Sequence, residues 1–322
     1  MASPPFPGDL ARHGWSDRVQ ALVAATDRPD LCPARVVRVD RDRCLVVTAS
    51  EETTATHDPL PTVGDWVLLD VDPSTPRRVA EVLPRWSQLD RHGAGQTTEA
   101  QTLAADVDLV LITTGLDRPV RPSRVERELV VAWDSGARPV IVLTKADTHP
   151  DPDAAAAELT TRVVGAEVVV TSSADGRGMD EVRALIGPSD TVVLLGASGV
   201  GKSTLANRLL GEERFEVAAV RGADHKGRHT TVTRHLVPLP EGGVLIDTPG
   251  LRGIGVWEAD EGLALAFADI EDLSADRLGS WRKLRREAEW VELRRDGRAQ
   301  AEQRKSIKAL HRAMRANPTK KR

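Results

Sequence analysis

Hydrophobic and polar positions divide the chain into stretches of different texture. From Ala34 to about Leu89, the short apolar runs "ARVVRVD", "RCLVVTA", "GDWVLLDV" and "RRVAEVL" alternate with turn residues, which predicts a small all-β barrel. An OB-type barrel is the expected form and an SH3-like barrel the alternative. The stretch "TASEETTATHDPLPTVGDW" leaves little room for a strand between the second and last of these runs, so a shortened barrel is expected. Residues 1–30, rich in Pro, Asp and Arg, read as a flexible arm with a short helix over Asp17–Ala25.

From Asp108 onward the texture changes. "DLVLITTG", "RPVIVLTKAD", "AEVVVTSS" and "TVVLLG" are continuous apolar runs of strand length, as in strands covered on both faces. Between the first two lies "PSRVERELVVAW", with Val125, Leu129 and Trp133 at helical spacing. Ser123 and Glu126, behind Pro122, predict a capping box for that helix. Alternating strands and helices predict a parallel sheet with helices packed on it, and "HLVPLP" and "GVLIDTPG" around a glycine turn predict a hairpin. From Glu258 the chain reads as helical and basic.

Composition narrows the class. With 322 residues, 40% of them hydrophobic, the chain is long enough for two or three domains and a sizeable core. The two cysteines, Cys32 and Cys44, make no disulfide framework or zinc spacing; they read as buried thiols and suit a reducing cytoplasm. The start lacks a secretory pattern, and no run of about 18 apolar residues occurs, so a cytoplasmic, non-membrane protein is expected. The seven tryptophans read mostly as core fillers. A net charge of −4 hides an asymmetry, because beyond Ser280 basic residues outnumber acidic ones about threefold.

The chemistry is concentrated in a few short motifs. Gly196, Ala197, Ser198, Gly199, Val200, Gly201, Lys202 and Ser203, followed by Thr204, match G-x-x-x-x-G-K-S between an apolar strand and a helix. Such a loop turns backbone N–H groups and a helix N-terminus toward phosphate oxygens. Lys202 is expected to reach the β- and γ-phosphates, and the Ser203 hydroxyl to ligate magnesium. Asp247 in "DTPG" suits a carboxylate holding that ion through water, and Gly250 offers an N–H to the γ-phosphate. Either Thr230 or Thr231 is the expected further magnesium ligand. "TKAD" supplies the base reader: Asp147 accepts from two guanine donors that adenine lacks, Lys145 lies along the base, and Thr144 precedes them. Ser172 and Ser173 fall where a backbone N–H would meet the guanine O6.

These motifs come in a rotated order, with the base-reading half ahead of the phosphate loop. Joining the termini of a compact domain and cutting it elsewhere preserves the site. The rotation sends "DTPGLRGIG" almost directly into the C-terminal segment, so nucleotide state is expected to alter that segment.

A barrel followed by "TKAD", "TSS", "GASGVGKST", "GRHTT" and "DTPG", with a basic helical end, resembles the circularly permuted ribosome-assembly GTPases known as ribosome small-subunit-dependent GTPase A. "PTVGDWV" and "VLPRWSQLDR" resemble segments at the end of that family's barrel. The resemblance implies an α/β fold class: a flexible arm over 1–30, an OB-like β-barrel over 31–92, a circularly permuted P-loop GTPase domain over 93–257 and a basic helical region over 258–322. It also implies Mg2+ with GTP or GDP, slow hydrolysis stimulated by the 30S ribosomal subunit, and action late in that subunit's maturation. With Leu251 after Gly250 in place of a glutamine, the resemblance makes His229 a candidate for positioning the attacking water, or else a phosphate-contacting loop residue.

Three departures from the family pattern bear on function. Thr144 stands where Asn is usual, which implies a weaker tie between base loop and phosphate loop. The family's zinc module of three cysteines and a histidine has no counterpart, because no cysteine follows Cys44, so no structural zinc is expected. With the barrel also read as short, Arg282, Lys283, Arg285, Arg286, Arg294, Arg295 and Arg298 remain to meet 16S rRNA phosphates, if they are not simply a solvated helix face. A monomer is expected. The alternative is a guanine-nucleotide-binding module that has lost productive ribosome coupling; an ATP-using enzyme fails on Asp147.

Overall fold

The computed structural model of the chain describes residues 8–72, 74–92, 100–163, 165–215, 234–247, 266 and 277–286. His229, Thr230, Thr231, Gly250, Arg294, Arg295 and Arg298 lie outside these residues.

The chain begins with α1 (Gly8–Arg12) and α2 (Asp17–Ala25). Ser16 starts α2, its hydroxyl accepting from the Val19 N–H at 3.4 Å, a satisfied N-cap. From Gly8 onward the segment expected as a flexible arm is anchored instead: Leu10, Trp15 and Val19 are buried in the main core. Trp15 meets Trp66 edge to face at 5.4 Å, and the Ser189 hydroxyl donates to the Trp15 carbonyl at 3.0 Å. Three apolar anchors spaced among Pro, Asp and Arg form no periodic pattern, which is why the segment reads as an arm.

The barrel comprises β1 (Cys32–Val39), β2 (Arg43–Val47), β3 (Glu52–His57), β4 (Trp66–Asp70) and β5 (Arg78–Val82). It closes in the order β1-β2-β3-β5-β4, with β3 and β5 parallel and the other pairs antiparallel. Five strands closed in this order agree with the OB-type expectation. The shortened barrel is corrected too, since β3 occupies the stretch read as too short. Only Ala55 of its "ETTATH" is buried, so no hydrophobic alternation betrays it. Ala34, Val36, Cys44, Val46, Val67, Leu69 and Val79 fill the interior with Ala55. Burial pushes the Cys44 thiol up to about 11, an unreactive core residue.

Next come β6 (Gln88–His92) and β7 (Ala100–Ala105), an antiparallel pair. The nucleotide-binding half follows as β8 (Leu109–Gly115), α3 (Pro122–Asp134), β9 (Arg138–Thr144), a single turn over Ala146–Thr148, α4 (Pro152–Thr160), β10 (Glu167–Val170), α5 (Met179–Ala184), β11 (Thr191–Leu195), α6 (Lys202–Leu210), β12 (His235–Pro238) and β13 (Val244–Asp247). Their sheet runs β10-β9-β8-β11-β13-β12, parallel except for β12, which forms the predicted hairpin with β13. Alternate residues serve opposite faces: Leu109, Leu111, Val140 and Val192 pack toward α5 and α6, whereas Val110, Ile112, Ile141 and Val193 join the larger core.

The capping box does not form. Arg121 is the N-cap of α3 without a side-chain bond, Pro122 opens the helix, and Glu126 turns inward. There it meets the buried Arg277 at 3.5 Å, which fastens helical segment 277–286 onto α3. Leu284 of that segment is buried, while Arg282, Lys283, Arg285 and Arg286 face water. Among the described residues no helix is long and apolar enough to cross a membrane.

Barrel and sheet share one core. Trp66 and Leu68 point out of the barrel and pack with Val110, Ile112 and Ile246; each such side chain contributes about 2 kcal/mol through burial. Arg35 is also fully buried here, its guanidinium 4.7 Å from the Trp66 ring centre and donating to the Thr191 hydroxyl at 2.9 Å. Beside it Asp65, also fully buried, accepts a two-pronged contact from Arg85 at 2.6 and 2.8 Å and the Thr62 N–H at 2.6 Å. The segment "PTVGDW" is therefore a junction: the Thr62 hydroxyl donates to the Thr102 carbonyl, and the Ala105 N–H to the Val63 carbonyl, both at 3.0 Å.

Candidate active site

The carboxyl ends of β11, β8 and β9 lie side by side, the place where open parallel sheets gather their ligands. Each end carries part of the site. After β11, the phosphate loop turns at Gly196, whose φ of 136° no side chain tolerates well and where a Cβ would collide with the Thr113 carbonyl oxygen of β8. Gly201 then starts α6 in the left-handed region, so the helix N-terminus opens beside the loop. Lys202 and Ser203, the first two residues of α6, are both half-buried. The Lys202 ammonium donates to the carbonyls of Gly196 at 2.9 Å and Ala197 at 2.6 Å, arching over its own loop.

After β9, Thr144 ties the base loop to the phosphate loop. Its hydroxyl donates to the Val200 carbonyl and approaches so closely because Gly201 has no side chain in the way. The tie between the two loops is thus made by a single hydroxyl at the position where the family pattern has an asparagine amide. Lys145 adopts a left-handed backbone (φ 59°), and its ammonium donates to the Gly199 carbonyl at 2.6 Å and to Asp117 at 2.9 Å.

Asp147 sits in the exposed turn after Lys145, and the buried Ser172 hydroxyl donates to its carboxylate at 2.8 Å. Ser172 thus orients the Asp147 carboxylate. Its own N–H is engaged by the Arg177 carbonyl at 3.0 Å, so of the two residues expected to offer an N–H to O6, Ser172 already spends its own. Arg208 on α6 donates to the Ser173 carbonyl at 2.6 Å and steadies that turn. Sequence reasoning missed Asp117 and Arg208. Neither belongs to a motif, and the one available signal was the place of Asp117 just after the apolar run that forms β8.

Asp247 closes β13, half-buried, and burial pushes its carboxyl up to about 6, with Arg214 offsetting a little. The Ser203 hydroxyl and the Asp247 carboxylate are both oxygen donors, the kind that suits magnesium shared with phosphates. Among the described residues no cluster of three or more His, Cys, Asp or Glu could hold a metal alone. Next to Gly196, a cavity of about 400 Å³ separates α3 from segment 277–286, lined by Arg121, Arg124, Arg127, Glu128 and Lys283.

With this geometry in view, the model of the RsgA GTPase family matches residues 82–257. The chain belongs to the RsgA GTPase family. Among its RsgA relatives is the small ribosomal subunit biogenesis GTPase RsgA of Streptomyces coelicolor, 42% identical, with 93% of this chain and 92% of that protein covered. The protein of the same name from Opitutus terrae is 39% identical, with 83% and 78% covered. The crystal structure of YjeQ from Thermotoga maritima overlays with a TM-score of 0.57 at 21% identity, covering 79% of this chain and 97% of that one. That likeness speaks for the fold: a barrel followed by a permuted nucleotide-binding sheet. RsgA membership accounts for the rotated motif order.

Proposed function

We propose that this chain binds GTP with Mg2+, hydrolyses it to GDP and phosphate, and acts in maturation of the 30S ribosomal subunit. The observation that carries the nucleotide half of this reading is the bond from Lys145 across to the Gly199 carbonyl, which joins base loop and phosphate loop in one site. The ribosomal half rests on relatives named for small-subunit biogenesis, similar over nearly the whole chain. The reading as a nucleotide-binding module without ribosome coupling is the less favoured one.

In this mechanism the phosphate-loop N–H groups and Lys202 hold the phosphates and offset negative charge that grows as the β–γ bond breaks. Ser203 and Asp247 hold the magnesium, with Thr230 or Thr231, and the ion when bound draws charge from the phosphate oxygens. His229 positions water, and Gly250 senses the γ-phosphate. Asp147, oriented by Ser172, takes the guanine donors while Ser173 offers its N–H to O6. Exposed Arg282, Lys283, Arg285 and Arg286 suit 16S rRNA phosphates. We read the protein as cytoplasmic and monomeric. With no cysteine beyond the barrel, thiolate ligands for the family's zinc are missing, and metal analysis is expected to find no stoichiometric zinc.

The test is GTP hydrolysis with and without purified 30S subunits at two salt concentrations. Subunit stimulation that fades as salt rises is the expected result. Hydrolysis indifferent to subunits, alongside intact GDP binding, would establish the uncoupled module instead.

A further inference from the structure

Lys145 has a neighbour that no motif accounts for. Asp117 lies two residues beyond β8, the strand between the base strand β9 and the phosphate strand β11. A lysine leaving β9 has to cross the end of β8 to reach the Gly199 carbonyl. At that crossing its ammonium meets the Asp117 carboxylate at 2.9 Å, with both side chains about three-quarters covered (25% and 26% exposed). The crossing is tight, since a Cβ at Gly115 would stand 2.6 Å from Asp117 Oδ1 and 3.6 Å from the Lys145 stem. Arg118 adds a weaker contact to the same carboxylate at 3.5 Å.

An ammonium is a compact point charge on a flexible stem, with no preferred direction of its own. Two anchors on different loops give it one. From this geometry we propose that Asp117 is a positioning residue for guanine-nucleotide binding: it pins the Lys145 ammonium against the phosphate loop, so that the lysine stem forms a fixed wall for the base. The proposal rests on reading Lys145 and Asp147 as the base site. It adds that a residue outside every nucleotide motif sets affinity, by removing freedom the lysine would otherwise lose on binding.

Calorimetric titration with GDP and Mg2+ tests this on the full chain and on Asp117→Ala, Asp117→Asn, Lys145→Met and Asp117→Ala with Lys145→Met. Asp117→Ala is expected to weaken GDP about tenfold, the scale of a charge-assisted hydrogen bond, and the isosteric Asp117→Asn by less. Once Lys145→Met is present, removing the carboxylate should add no more than about twofold, because its partner is gone. A merely structural role predicts equal losses with and without Lys145, tracked by a falling melting temperature in the absence of nucleotide. Equal losses, or unchanged affinity in Asp117→Ala and Asp117→Asn, overturn the proposal. Asp147→Asn separates the two readings, since an amide there should prefer xanthosine diphosphate to GDP. If Asp147→Asn keeps its preference for GDP, the base site itself is wrong and the Asp117 role falls with it. A switched preference with no effect at Asp117 removes the Asp117 role alone.

Discussion

Lys202→Ala is expected to lower GTP turnover by about a hundredfold or more, the cost of removing one preorganised positive group from charge that develops in a transition state. The side chain belongs to the site and contributes little to the fold. It is half-buried, and its ammonium donates to carbonyls of its own loop, at Gly196 and Ala197. Leu205, Leu209 and Leu210 on the inner face of α6 hold that helix in place without it. The variant should therefore keep its melting temperature within a few degrees while single-turnover hydrolysis collapses. Turnover within threefold of the parent would take Lys202 out of the reaction.

The largest stability effect is expected at Asp65, far from the phosphate loop. Asp65→Ala strips Arg85 of a two-pronged partner and leaves the Thr62 N–H unpaired, beside the buried Arg35 cation. Breaking one side of a buried pair costs about 3 kcal/mol, which urea unfolding would read as an earlier midpoint. A shift worth less than about 1 kcal/mol would mean that water takes the place of the carboxylate.

Its neighbour Asp106 should behave in the opposite way. Burial, helped by the nearby Asp65 charge and opposed by Arg35, pushes the Asp106 carboxyl from 3.8 up to about 7. Between those values the folded chain keeps a proton that the unfolded chain releases, so this group's contribution to stability declines as pH rises from about 4 to 7. Asp106→Asn imitates the protonated form and suits the left-handed backbone there (φ 55°). The variant should exceed the parent in stability at pH 8 and converge with it near pH 4. A gap that stays constant with pH would place the titration elsewhere.

How much of this was legible depends on what the physics demanded of each residue. A phosphate loop needs glycines at fixed places and Lys-Ser at the helix start, so it announces itself. Strands β8, β9 and β11 are covered on both faces and so read as unbroken apolar runs. Other features depend on contacts between distant residues. Leu10 and Trp15 are isolated anchors, β3 buries one alanine, and Glu126 gives up a local cap for a partner some 150 residues away at Arg277. Ser172 was singled out for its N–H and is used through its hydroxyl. The motif specifies an amide at Thr144, and only the fold shows that its hydroxyl reaches the Val200 carbonyl.

The order of strands in the sheet also governs how the site is assembled during synthesis. Everything on the β10 side of the boundary between β8 and β11 leaves the ribosome before anything on the other side. The earlier half-sheet carries Asp117, Lys145 and Asp147, and the later one the phosphate loop and Asp247. A growing chain thus holds a base-reading surface with nothing to grip phosphates until β11 and α6 emerge. A nucleotide that enters afterward spans the boundary and works as a clasp between the two halves, made at different moments of translation.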